Sequence, residues 1–179
     1  MKSLLLSTLA LLLLCSCATV PDSQAKRDEQ VDDVNNAIKI GLEKDPTLQE
    51  QFDTAYGYAV FPSVGKGGAG IGGAFGRGQV FEGGKRIGYA SLTQASIGFQ
   101  FGGQSYIEYI FFKDKVALDR FKTGNFAFDA RVSAVAVDVG AAAQASYSGG
   151  VMVFTITRGG LMYEASVGGQ KFDFKPLSE

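Results

Sequence analysis

The chain has 179 residues, 46% apolar and 20% charged, with 17 basic residues balanced by 18 acidic ones. That length suits one domain with its own core, and a net charge of −1 excludes the strong basic excess of an electrostatic nucleic-acid binder. There is no His and there are only two cysteines, Cys15 and Cys17, which excludes imidazole chemistry, Cys₄ zinc sites and a disulfide framework.

The first segment reads as an export address. Lys2 is followed by an apolar run from Leu4 to Leu14, too short to span a bilayer and of signal-peptide length. It ends in Leu14-Cys15-Ser16-Cys17. This pattern resembles a bacterial lipobox, with residues 1–16 as signal peptide and Cys17 as the diacylated new N-terminus; cleavage after Ala18 is the ordinary secretory alternative. Ala18 after the Cys matches sorting to the outer membrane if the source is Gram-negative. Acyl chains on one Cys make membrane attachment close to permanent.

Residues 17–24 are expected to be the acylated Cys and a short tether, and residues 25–179 a single domain. A helix is predicted next, with Val31, Val34, Ile38 and Leu42 on one apolar stripe and Asp28, Glu29, Asp32 and Asp33 in its early turns. Asp45-Pro46 reads as an N-cap followed by Pro at the first helical position. The second helix runs to about Ala55, with Leu48 and Phe52 inward. Tyr58 to Phe61 is a short strand that stops at Pro62.

From Gly65 the texture changes. Gly68, Gly70, Gly72, Gly76 and Gly78 share one parity, and Ile71, Phe75 and Phe81 the other. Read at period 2, one strand face is nearly bare, so another backbone or a ligand can come very close. Glu82-Gly83-Gly84-Lys85 reads as a hairpin turn, returning through Ile87 to Thr93. Ile97, Phe99 and Phe101 alternate with Gly98 and Gly102, and Tyr106 to Phe112 is a further strand. A short helix is predicted over Asp114 to Phe121 and a strand over Arg131 to Val139. Ser148-Gly149-Gly150 and Arg158-Gly159-Gly160 read as turns, with strands over Val151 to Thr157, Leu161 to Val167 and Phe172 to Phe174. The fold class is therefore α+β: a helical N-terminal segment, then a mainly antiparallel, glycine-rich β domain, as a sandwich or partly closed barrel.

Formal glycine motifs fail in context. Gly68-x-Gly70-x-x-Gly73 matches a dinucleotide fingerprint, but glycine at every second residue opposes the required helix and position 93 is Thr. Gly65-Lys66 is followed by Gly67, not by the Ser or Thr of a P-loop. A transmembrane β-barrel fits the alternation loosely, against the helical segment and the absence of a terminal aromatic strand.

Three blocks carry a resemblance: Ala55-Tyr56-Gly57-Tyr58-Ala59-Val60-Phe61-Pro62, the glycine strand with Gly68, Gly70, Gly72, Gly73, Gly76 and Gly78, and Ser96-Ile97-Gly98-Phe99-Gln100-Phe101-Gly102-Gly103-Gln104-Ser105. With the ending Gly159-Gly160-Leu161-Met162-Tyr163-Glu164-Ala165-Ser166-Val167-Gly168-Gly169 they resemble the SYLF domain family over roughly residues 30 to 174. The resemblance implies a non-enzymatic, lipid-binding domain on a bacterial lipoprotein. Actin, a partner of eukaryotic relatives, is set aside because an exported protein does not meet it.

Lipid phosphate calls for cations, and the candidates near the glycine strands are Lys66, Arg77, Lys85 and Arg86, each of which also reads as solubilising loop charge. The alternative is a structural envelope lipoprotein with protein partners and no specific lipid, whose glycine faces serve tight packing alone. An enzyme would have to use carboxylates such as Glu108, Asp129, Asp138 or Glu164, of which Glu108 and Asp138 lie in apolar surroundings where burial would raise a pKa; the plainer reading is that they face solvent or pair with Arg120 or Arg131. No metal, cofactor or nucleic acid is expected.

Overall fold

The computed structural model describes residues 19–124, 135–136 and 138–177. The elements run α1 (Gln24–Lys44), α2 (Leu48–Thr54), β1 (Gly57–Glu82), β2 (Lys85–Phe112), α3 (Lys115–Lys122), β3 (Val135–Ala136), α4 (Ala141–Gln144) and β4 (Val151–Pro176). The expected α+β class holds: helices first, then one mainly antiparallel sheet of order β1-β2-β4-β3. Only β3 is parallel, and it pairs just two residues with β4. The order is open, with β1 at an edge, so the sheet is not a closed barrel. No helix among the described residues is long and apolar enough to cross a membrane.

The strands are fewer and longer than expected. Pro62 does not end a strand, because β1 is an edge strand and its pairing shifts between Phe61 and Val64. A proline without an N–H is tolerated at such an edge bulge. Arg158-Gly159-Gly160 is not a turn either. Ser105 pairs with Gly159 and Tyr106 with Thr157, so Arg158 is the extra residue of a bulge within β4. Its Nη1 donates to the Pro62 carbonyl at 3.1 Å, across the central strand. The real turn is Gly83-Gly84, with φ of 55° and 75°, the paired positive values of a type I′ hairpin.

Each long strand is folded across its middle. In β1 a Cβ placed on Gly57 would sit 2.6 Å from the Phe81 carbonyl oxygen, one on Gly76 2.7 Å from Val64 and one on Gly68 2.5 Å from the Gly72 Cα. A Cβ on Gly78 would overlap the Val60 carbonyl oxygen and lie 2.8 Å from the Phe61 ring. These contacts nest around residue 70, so the first half of β1 runs antiparallel past its second half. The amide of Gly83 donates to the Tyr56 carbonyl at 3.1 Å, bringing the hairpin turn back to the start of β1. In β4, Phe172 lies 5.7 Å from Phe61 of the first half of β1, ring to ring. The fold line crosses the sheet through Ala69, its partner Phe101 and that residue's partner Tyr163. Gly102 beside it has φ 118°, a conformation suited to glycine.

Two cores follow. Between the folded halves lie Ala59, Phe61, Val64, Val80, Leu92, Ile110, Phe112, Val153 and Phe172, closed by Leu118 and Phe121 of α3. The opposite face of the first half, with Val60, Ile107, Tyr109, Phe111 and Phe154, packs under Val34, Ala37 and Leu48 of the first two helices. Alternation at period 2 therefore feeds two apolar layers, which is why both parities of these strand ends are apolar.

Helix α1 begins at Gln24 behind an Ser23 N-cap, which puts its acidic residues a turn deeper than expected. Its buried stripe is Gln30, Val34, Ala37 and Gly41, rotated by one residue from the predicted one. The small residues let the helix approach the sheet: a Cβ on Gly41 would lie 2.8 Å from the Tyr109 hydroxyl, which donates to the Ala37 carbonyl at 2.6 Å. The expected tether is docked. Pro21 is buried, and the Thr19 hydroxyl meets that of Ser91 at 2.9 Å.

Asp45 is the C-cap of α1 and not the N-cap of α2, which starts at Leu48 behind Thr47, so Pro46 lies before the helix and not at its first position. The Asp45 carboxylate accepts from the Thr47 amide and hydroxyl and from the amides of Gly140 and Ala142. Burial opposes its charge, but the Thr47 hydroxyl and the backbone N–H groups outweigh that and lower its pKa. Asp114 caps α3 through the Ala117 amide at 2.9 Å, so the expected helix starts one residue later, at Lys115.

The packing of β1 on itself predicts a contrast between two glycines. Gly78→Ala forces a methyl into backbone and should cost about 2–4 kcal/mol. Gly65→Ala meets nothing within 4 Å and should change stability by no more than about 0.5 kcal/mol. Urea unfolding of the two variants measures the difference; equal losses would refute the close approach.

Candidate functional site

The four sequence-predicted cations do not converge. Lys85 and Arg86 stand at the hairpin turn, opposite Glu82 and Phe81, whereas Lys66 pairs with Gln104 near the fold line in the middle of β1. Arg86 lies over the Tyr89 ring at 5.8 Å and Arg77 over Phe75 at 5.4 Å. Arg77 also lines a cleft of about 390 Å³ under α1, shared with Glu29 and Asp33, whose charge opposes a phosphate there. The glycine-strand residues are accounted for at Gly68, Gly76 and Gly78 by the strand's own backbone. Cys17 and Asp129 lie outside the described residues, Glu164 is placed opposite Gln100 in the ladder, and Asp138 is exposed and holds the Val139 amide.

Glu108 is different. It shares parity with Tyr106, Ile110 and Phe112, residues of the core between the folded halves, and is 1% exposed. The expectation that it faces solvent or an arginine is therefore wrong. Its Oε2 accepts from Gln170 Nε2 at 3.1 Å, and its Oε1 has no hydrogen-bond partner among the described residues. Burial raises its pKa from 4.5 to about 7, and the Gln170 bond offsets only part of that.

The carboxyl sits in a cavity of about 240 Å³ lined by Lys66, Gln94, Gln104, Tyr106, Thr155, Thr157 and Gln170 as well. The same folding that brings Phe172 over Phe61 brings Gln94 and Gln170 over the Glu108 level of the sheet. The interior is thus apolar toward the hairpin end and polar toward the fold line. Tyr106 and Glu108 form the buried floor, Gln94, Gln104, Thr155 and Gln170 are half-buried walls, and Thr157 is exposed at the mouth. Amide and hydroxyl groups can both donate and accept, so the cavity suits a small polar molecule. No cluster of three metal-ligating side chains occurs among the described residues. The odd parity of a glutamate among Tyr106, Ile110 and Phe112 was the available sequence signal for Glu108; Gln94 and Gln170 gave none, because only the folding of the sheet brings them there.

Residues 93–175 match the profile of the Ysc84 family, described as "Las17-binding protein actin regulator". That stretch holds every lining residue of the cavity except Lys66. The chain is also 33% identical over 134 residues to Beta cell expansion factor A of Aeromonas veronii, an alignment covering 71% of this chain and 49% of that protein. The chain thus spans about half the length of this curated relative.

Glu108 predicts a pH dependence. The folded protein holds a proton that the unfolded chain releases. Its contribution is fully present below about pH 4.5, is lost as pH rises through about 7, and amounts to roughly 3 kcal/mol. Between about pH 4 and pH 8, Glu108→Gln should therefore gain stability relative to the parent by that amount. Thermal unfolding of both proteins across this range checks it; parallel curves would place Glu108 in solvent.

Proposed function

Because the chain belongs to the SYLF family through its Ysc84-type domain, we propose that it is a membrane-anchored envelope lipoprotein whose domain binds lipid. The anchor in this reading is an acylated Cys17, exported by residues 1–16 and, in a Gram-negative cell, held at the outer membrane facing the periplasm. The chemistry is binding and not turnover. Actin stays outside the reading, since an exported protein does not meet it.

The observation that carries lipid binding is the fold line. Ile71 stands on it, 73% exposed. The register sets Ile71 against Ile97, Ala69 against Phe101, Phe101 against Tyr163 and Gly102 against Met162. Apolar residues of three strands thus occupy register positions at the level of the bend, with Lys66 close by. Apolar residues beside a cation match acyl chains beneath phosphate headgroups. Burying one isoleucine side chain contributes about 1.5–3 kcal/mol.

The test is flotation of the mature chain carrying Cys17→Ser, which removes the acyl anchor, with neutral and with anionic liposomes. The parent should float with anionic liposomes, and Ile71→Asp should weaken that at least about tenfold. Loss of binding on charge reversal at Lys66 alone, and not at Lys85 and Arg86, would assign the headgroup contact to the fold line. No flotation by the parent would overturn lipid binding by the domain and favour the second reading, an envelope module for protein partners. That reading draws on the glycine faces, whose occupant at Gly57, Gly76 and Gly78 is the protein's own backbone.

A further inference from the structure

A carboxylate that is nearly fully buried with one oxygen unpartnered is costly to leave so. The surroundings of Glu108 do not discharge the cost. No cationic side chain among the described residues forms an ion pair with it, and the only side chain bonded to it is the neutral Gln170. Yet the cavity in front of it is built, not accidental. Its walls come from three strands, β1, β2 and β4, and every described side chain that lines it carries a polar atom. The hairpin half of the same core is filled with apolar side chains, whereas this depression, open to solvent, is lined by polar ones.

We infer that this cavity is a binding site for a primary ammonium group on a small polar molecule, held by the Glu108 carboxylate with the Gln and Thr side chains around it. Three features fix the chemistry. The free oxygen of Glu108 takes a charge-assisted N–H bond. The remaining ammonium protons and any hydroxyl find acceptors and donors on Gln94, Gln104, Thr155 and Gln170. The volume of about 240 Å³ holds a headgroup-sized molecule and not acyl chains. The site shares Lys66 with the fold line, but its Glu108 contact uses none of the apolar residues there and is tested apart from them.

The proton balance is simple. The ammonium pairs with ionised Glu108, so binding in the lower range expels the proton that burial retains. Affinity therefore rises with pH up to about 7 and levels off above it. Lys66 on β1 and Tyr106 on β2 are the other titratable groups lining the cavity; β4 contributes only neutral Thr155, Thr157 and Gln170.

The experiment is calorimetric titration of the full mature chain carrying Cys17→Ser with O-phosphoethanolamine, ethanolamine and choline at about pH 8, beside flotation with vesicles of phosphatidylethanolamine or of phosphatidylcholine. Binding of the free amines over choline assigns a soluble ligand. Binding only to phosphatidylethanolamine vesicles assigns the same headgroup on a lipid. In either case Glu108→Gln, which keeps the side-chain shape, should lose at least about tenfold in affinity, and Thr155→Leu, which fills the wall, should abolish binding. No binding at about 10 mM amine and no vesicle preference would overturn the site. So would choline binding as well as ethanolamine, or a Glu108→Gln protein that unfolds like the parent near neutral pH and binds unchanged. Failure of the Ile71→Asp flotation test with intact amine binding would refute only the membrane contact at the fold line.

Discussion

The contact of β1 with itself is the constraint on which the rest of this structure rests. Two stretches of one strand run past each other so closely that side chains at Gly57, Gly76 and Gly78 would strike backbone or ring atoms. Glycine costs entropy in a strand, roughly 0.5–1 kcal/mol each relative to alanine. The return is a sheet of only three long strands that encloses its own core. Because β2 and β4 follow β1 in register, folding the edge strand folds all three.

The folding also decides where polarity can go. Near the hairpin end the facing halves are aromatic and aliphatic, with Phe61, Phe121 and Phe172 in mutual contact. Toward the fold line the facing residues are Glu108, Gln94, Thr155 and Gln170, and they leave space between them. One continuous set of strands thus supplies a dry end that stabilises and a wet end that offers chemistry. The bulges at Pro62 and Arg158 fall within the wet stretch, at the ladder levels of Gln104 to Glu108, and are tied by the guanidinium–carbonyl bond. Bulges re-aim strands next to such openings.

Local chemistry was legible in the sequence, and non-local chemistry was not. The Gly83-Gly84 turn and the short helix after Asp114 depend on neighbours within a few residues, whereas Asp45-Pro46 does not open the second helix, whose N-cap is Thr47. The bare glycine face correctly announced a close approach, but not whether backbone or ligand would make it. Strand ends at Pro62 and Gly159-Gly160 were misjudged because their tolerance comes from an edge position and a bulge, both tertiary facts. The cations Lys66, Arg77, Lys85 and Arg86 are near one another along β1 and its turn and yet stand at different levels of the folded sheet. Glu108 was visible as a charged residue among apolar ones, but its burial needed the second layer that Gln170 brings.

The docking of Thr19 on Ser91 has a consequence for posture. Cys17 is only two residues before Thr19, a reach of at most about 7 Å. Ser91 stands roughly ten ladder positions from Phe101, about 33 Å along the strand. In the lipoprotein reading proposed above, a domain standing upright on its fold line would hold Cys17 far above the bilayer. Under that proposal, satisfying both attachments at once would require the long axis of the sheet to recline along the membrane plane, like a boat moored at bow and stern.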